Sequence, residues 1–245
     1  MTTWTELEEA IRTGQVSKAI LPIGSFEQHG PHLPLSTDTI IAEHLASEVA
    51  KSCNAAFLLP SIHLGCSSEH LGFAGTISLR PKTMRNLIID ISRSLIQSGL
   101  KRLFIINGHG GNKGTIDATL VEVKQIIPEM RIYSFTILDI AKQKFEEIRK
   151  SKRGLVGHAD EIETSMMLAI APRLVNMAGA VREKPSIPEP LSFEPSGIAT
   201  ISFAWNARDI THSGVIGDPT LATAETGRVL LDFTTQTISK AVNQL

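Results

Sequence analysis

The chain has 245 residues, 42% of them hydrophobic and 20% charged, with a formal net charge of −1. That composition supports a sizeable buried core and excludes a disordered class. A near-neutral charge without long basic runs argues against a nucleic-acid-binding face and for a small-molecule partner.

The N-terminal stretch MTTWTELEEAIRTGQ is acidic and helix-like, and it lacks the basic and apolar regions of a secretory signal. AILPIG (19–24) reads as a strand, and TDTIIAEHLASEVAK (37–51) repeats Ile40, Ile41, Leu45 and Val49 at helical spacing. AAFLLP (55–60) and RLFIIN (102–107) read as buried strands. Between them, PKTMRNLIIDISRSLIQSG (81–99) opens with Pro81, which suits a first helical turn. It carries Met84, Leu87, Ile88, Ile91 and Leu95 on one face and stops at Gly99. A helix over 112–128 ends ahead of Pro128, and RIYSFTIL (131–138) reads as a further strand. DEIETSMMLAIAP (160–172) and the segment 218–242 complete the helices. Alternation of this kind predicts a three-layer α/β/α sandwich around a largely parallel sheet. Pro-rich REKPSIPEPLSFEPSG (182–197) is linker-like, but too little chain follows it to build a second core. Residues 1–245 therefore read as one domain, with 182–197 as a long loop. No apolar run approaches a membrane span, so no membrane partner and a cytoplasmic location are expected. Cys53 and Cys66 lack paired metal spacing and are too few for a disulfide scaffold, which leaves them as free thiols.

The chemistry concentrates in GSFEQHGPHLPLSTD (24–38), where Glu27, His29, His32 and Asp38 share one irregular segment. A second ligand-type loop, NGHGGN (107–112), follows the strand LFII and carries His109. Open α/β sheets gather ligands beyond the carboxyl ends of their strands, where both loops lie. In an extended stretch residues i and i+2 face the same side, so Glu27 and His29 can share a crevice. Plainer roles exist for each residue. Asp38 precedes a helix and could be an N-cap worth about 1 kcal/mol. In DEIE, Glu163 could return to the Asp160 backbone as a capping box. GHGG could be a turn or a phosphate cradle, although it lacks the G-x-G-x-x-G spacing and the Walker lysine. His44 and His63 sit in ordinary structural contexts, and His212 has no assignment. Together, however, the loops and HADEIE (158–163) make an oxygen-and-nitrogen ligand set without thiolates. Such a set suits Zn, Mn or Fe, allows two ions bridged by one carboxylate, and leaves a position open for water.

These motifs, with SGVIGDPTLATAETG and SSEHLGFAGTISL (67–79), resemble the creatininase family of metal-dependent amidohydrolases, in the family's order from about residue 18 to about residue 230. The resemblance implies that Glu27 ligates one of two divalent ions and His29 the other. Asp38 would bridge both, and His109 would complete the first set. Creatinine-acting members place a second-metal Glu two residues after this His, where this chain has Gly111; Glu163 is the nearest replacement. His158 matches the family's proton-handling histidine. Creatinine-acting members also enclose their substrate with tryptophans between that Glu and the proton-handling His. Here the tryptophans are Trp4 and Trp205, outside 110–158, so creatinine is a poor fit. The GHGGN form is more like branches that deformylate pyrimidine intermediates or trim a modified peptide.

The expected function is hydrolysis of a cyclic or formyl amide C–N bond, other than a peptide bond, by a water activated at two metal ions. Metal binding lowers the pKa of water from about 15.7 toward about 7. One rival is a metallopeptidase trimming a modified peptide, and another is a non-catalytic metal- or nucleotide-binding protein. Family resemblance also implies a homo-oligomer.

Overall fold

The computed structural model of the chain describes residues 2–188 and 203–245. In chain order its elements are α1 (Trp4–Arg12), β1 (Lys18–Ile23), α2 (Thr37–Ser52), β2 (Ala56–Leu58), α3 (Pro81–Gln97) and β3 (Arg102–Asn107). There follow α4 (Lys113–Ile126), β4 (Arg131–Thr136), α5 (Ile137–Ile148), α6 (Glu161–Ile170), α7 (Ala207–Ile210) and α8 (Ala224–Gln244). The strands form one sheet in the order β2-β1-β3-β4, every pair parallel.

Successive strand residues point to opposite faces, so the apolar runs of β1 and β3 supply two cores at once. Ile20, Phe104 and Ile106 pack with Leu45, Val49, Met166 and Leu230 on the face covered by α2, α5, α6 and α8. Leu21, Ile23, Leu103 and Ile105 pack with Met84, Ile88, Ile116 and Val123 beneath α3 and α4. Burying such side chains stabilises by roughly 1.5–3 kcal/mol each. The result is the expected three-layer α/β/α arrangement.

Register is what positions the site. Ile23 pairs with Asn107, so β1 and β3 end level, and the Gly108 N–H donates to Ile23 O at 2.8 Å. The loops that begin at Gly24 and Gly108 thus leave the sheet side by side.

Four expectations change. β2 is a three-residue edge strand, half-buried and with Leu58 exposed, because among the described residues it pairs with β1 on one side and with no strand on the other. The strand expected over 131–138 stops at Thr136, and Ile137 and Leu138 open the unforeseen helix α5. Its buried face is Ile137, Ala141 and Phe145, and in the sequence its opening Ile137 and Leu138 run on from the apolar residues of β4. Leu87 lies off the buried stripe of α3 and is exposed, while Ile89 is buried. Finally, α8 starts at Ala224 rather than 218: Pro219–Leu221 form a short 3₁₀ turn, and the Thr223 hydroxyl caps the helix by accepting from Thr226 N. Cys53 and Cys66 are buried free thiols, as expected. Residues 189–197 of the linker-like segment lie outside the described residues. Among the described residues, no helix is long and apolar enough to cross a membrane.

Candidate metal centre

Glu27 and His29 lie in the loop after β1, Asp38 in the first turn of α2, and His109 in the loop after β3. His158 precedes α6, and Glu163 lies in that helix's first turn. All six are buried. Their ligand atoms form three mutually close triplets, each within 4.8 Å: Glu27–Asp38–His109, His29–Asp38–Glu163 and Glu27–His29–His158.

Asp38 is not a cap. Ser36 holds the N-cap position of α2, and Asp38 turns both oxygens inward. Its Oδ1 lies 3.1 Å from His29 Nε2, and its Oδ2 lies 3.0 Å from His109 Nδ1 and accepts from Ser25 Oγ at 2.7 Å. The DEIE segment is half a capping box. Asp160 accepts from Ile162 N and Glu163 N, but Glu163 Oε2 returns to Ala159 N at 2.6 Å rather than to Asp160. That return keeps the Glu163 carboxylate 3.9 Å from His29 Nε2.

The donor pattern calls for positive charge. His29 Nδ1 donates to Glu27 O at 3.2 Å, so a neutral ring would aim a lone pair from Nε2 straight at Asp38 Oδ1. Only a proton or a cation relieves that repulsion. Among the described residues, both Glu27 oxygens are buried without a hydrogen-bond partner, which costs free energy unless a cation or proton satisfies them. Burial drives Glu27 up to about 7, against the pull of His109, and Glu163 up to about 8, against that of His29. For His29 burial acts downward, yet Asp38, Glu163 and Glu27 outweigh it and raise the ring to about 10. His109 likewise resists burial and rises to about 10 through Glu27, Asp38 and Glu69. Burial opposes ionisation of Asp38, but His29 and His109 hold its pKa well below the carboxylate range. Burial and the charges of His70 and His29 hold His158 well below the usual imidazole value. Oxygen and nitrogen donors this close, holding protons that a cation could displace, fit divalent cations.

A cavity of about 350 Å³ opens onto these groups, walled by His70, His109, Gly111, His158, Glu163 and Trp205 among others. The departure at Gly111 is built into the backbone. A Cβ there would lie 2.4 Å from Cys66 O, 2.5 Å from His109 Nε2 and 2.7 Å from Glu69 Oε1. Two residues of the site, His70 and Trp205, carried no assignment in the sequence. His70, from SSEHLGFAGTISL, is buried with Nε2 3.5 Å from Glu27 Oε1 and stacks on His158 at a ring separation of 4.3 Å. Trp205, counted above only for lying outside 110–158, packs edge-on to His70 at 5.7 Å. Outside the centre, His32 Nε2 lies 2.9 Å from Thr164 Oγ1, exposed His63 meets Glu43, and His212 is exposed.

The family model described as "Creatininase: Creatinine amidohydrolase" matches residues 1–242. A mycofactocin precursor peptide peptidase of Mycobacterium ulcerans (strain Agy99) is 36% identical over 219 residues, covering 85% of this chain and 78% of that protein. A creatinine amidohydrolase of Pseudomonas putida is 27% identical, over 99% of this chain and 94% of its own. Among solved structures, a mutant creatininase of zinc–zinc type superposes with a TM-score of 0.80 at 26% identity, covering 99% of this chain and 95% of that one. Fold, motif order and whole-length similarity agree, and this chain belongs to the creatininase family of hydrolases.

Proposed function

We propose that this protein is a dinuclear metal-dependent amidohydrolase that cleaves an amide C–N bond in a modified peptide. The carrying observation is Asp38, whose two oxygens face separate donor groups. Glu27, Asp38 and His109 would hold one cation, and His29, Asp38 and Glu163 the other, with Zn, Mn or Fe suited to the donors. Divalent cations in such a site supply Lewis acidity toward a carbonyl oxygen and lower the pKa of water. Glu163 takes the role that Gly111 leaves vacant, since it shares a triplet with His29 and Asp38.

His158 handles the proton. Its Nε2 donates to Gln28 O at 2.7 Å, which leaves Nδ1 with a lone pair beside the cavity. Nδ1 can therefore accept a proton from the attacking water and return it to the departing nitrogen. The Trp205 and His70 rings form part of the cavity wall beside these groups.

A modified peptide is favoured over creatinine because of the 36% identical peptidase, and this moves away from the expected restriction to non-peptide amides. The cavity volume of about 350 Å³ favours the second reading, a small cyclic or formyl amide. Elemental analysis of purified protein, paired with assays on formamides, lactams and short modified peptides, separates the readings. Two ions with peptide cleavage support the first, and cleavage of formamides or lactams alone supports the second. Bound metal without turnover on any of them leaves a binding protein and overturns both.

A further inference from the structure

We infer that Gln28 and His70 are positioning residues that fix which ring nitrogens face Glu27 Oε1, the N–H of His70 and the free nitrogen of His158. The inference rests on the reading of Glu27 as a cation ligand.

Gln28 is buried, and its neighbours permit one orientation of its amide. The Gly30 N–H needs an acceptor and finds Gln28 Oε1 at 2.9 Å, while the Gly214 carbonyl needs a donor and finds Nε2 at 3.0 Å. A Cβ on Gly214, which has a φ of +88°, would fall 1.9 Å from Gln28 Oε1, so a glycine there lets the loop close onto the amide. The second Nε2 hydrogen is left for His70 Nδ1, 2.9 Å away. His70 Nδ1 is therefore an acceptor, and the ring carries its proton on Nε2, facing Glu27 Oε1 at 3.5 Å. The backbone carbonyl of the same Gln28 accepts from His158 Nε2 and leaves the His158 Nδ1 lone pair 3.8 Å from that oxygen. One residue thus makes two stacked rings present opposite faces to Glu27 Oε1, an N–H from His70 and a lone pair from His158. Glu27 Oε2 remains turned toward His109 at 3.2 Å. Outer partners of this kind orient a ligating carboxylate, and their loss costs about 10- to 100-fold in metal affinity.

The test combines histidine nitrogen NMR on metal-free protein with titration by Zn²⁺ alone. Wild-type His70 is expected to be protonated on Nε2 and bare on Nδ1, and Gln28→Leu to give a mixture of both forms. His70→Ala should keep the wild-type stoichiometry but bind one ion about 10- to 100-fold more weakly. His70→Gln, whose amide can donate in place of Nε2, should restore most of that affinity. A wild-type protein that binds no Zn²⁺ sinks the metal reading itself. Wild-type binding with His70 protonated on Nδ1, or His70→Ala binding as tightly as wild type, overturns this inference alone. Should Gln28→Leu fail to fold, the wild-type tautomer and the His70 pair still decide.

Discussion

Asp38 sets its Oδ2 3.0 Å from His109 Nδ1 while its Oδ1 meets His29, so one carboxylate joins groups delivered by two different strand ends. Asp38→Asn should therefore weaken both cations together, each by at least about 100-fold, the upper end of what a supporting residue costs. Elemental analysis after dialysis checks this: the variant should retain less than one ion per chain. Retention of both ions would show that Asp38 bridges nothing.

His158→Ala should leave the metal content unchanged and lower turnover by about 10²–10⁴-fold, the usual worth of a positioned proton donor or acceptor. Since His158 also falls in a triplet with Glu27 and His29, loss of metal in this variant would make it a ligand instead.

Glu163→Gln should cost only the cation on the His29 side. The amide oxygen can still accept from Ala159 N, so α6 keeps its start while a ligand charge disappears. Metal-to-protein ratios near one, with a wild-type melting curve for the stripped protein, are the expected result.

Gly111→Ala should damage stability and metal binding together. The added methyl meets the fixed Cys66 carbonyl and pushes against the His109 ring, an overpacking cost of about 1–3 kcal/mol. A lowered Tm together with weakened binding of the His109-side ion is expected. An unchanged Tm would mean that the loop backbone yields.

The pH dependence of the metal-free protein follows from His29 and His109, which Asp38 and Glu27 raise to about 10 against the opposing effect of burial. Between about pH 6.5 and 10 the folded state holds protons that the unfolded chain has released, so stability falls as pH rises through that window. Glu163, raised by burial to about 8, acts in the same direction over the lower part of it. Cations displace those protons, so their affinity should rise over the same range. Melts of stripped protein from pH 6.5 to 10 should decline. Mn²⁺ at 100 times its Kd should add about 2.7 kcal/mol and flatten the decline. A stripped protein whose Tm rises with pH would contradict the assigned charges.

Local chemistry made much of this legible beforehand. Apolar runs such as Arg102–Asn107 mark buried parallel strands because both faces must be covered, and the ligand-rich loops after β1 and β3 stand where such sheets hold their sites. α5 escaped because its first residues, Ile137 and Leu138, continue the apolar run of β4, so the strand reading absorbed the start of the helix. Asp38 and Glu163 each had a plausible capping role in the sequence. Only the third dimension turned the Asp38 carboxylate, in the first turn of α2, toward His29 and His109, and the Glu163 carboxylate toward His29. Residue type and spacing determined which donors were available. The level ending of β1 and β3, and the closure of Gly214 onto Gln28, decided which donors meet, because convergence depends on contacts between segments far apart in the chain.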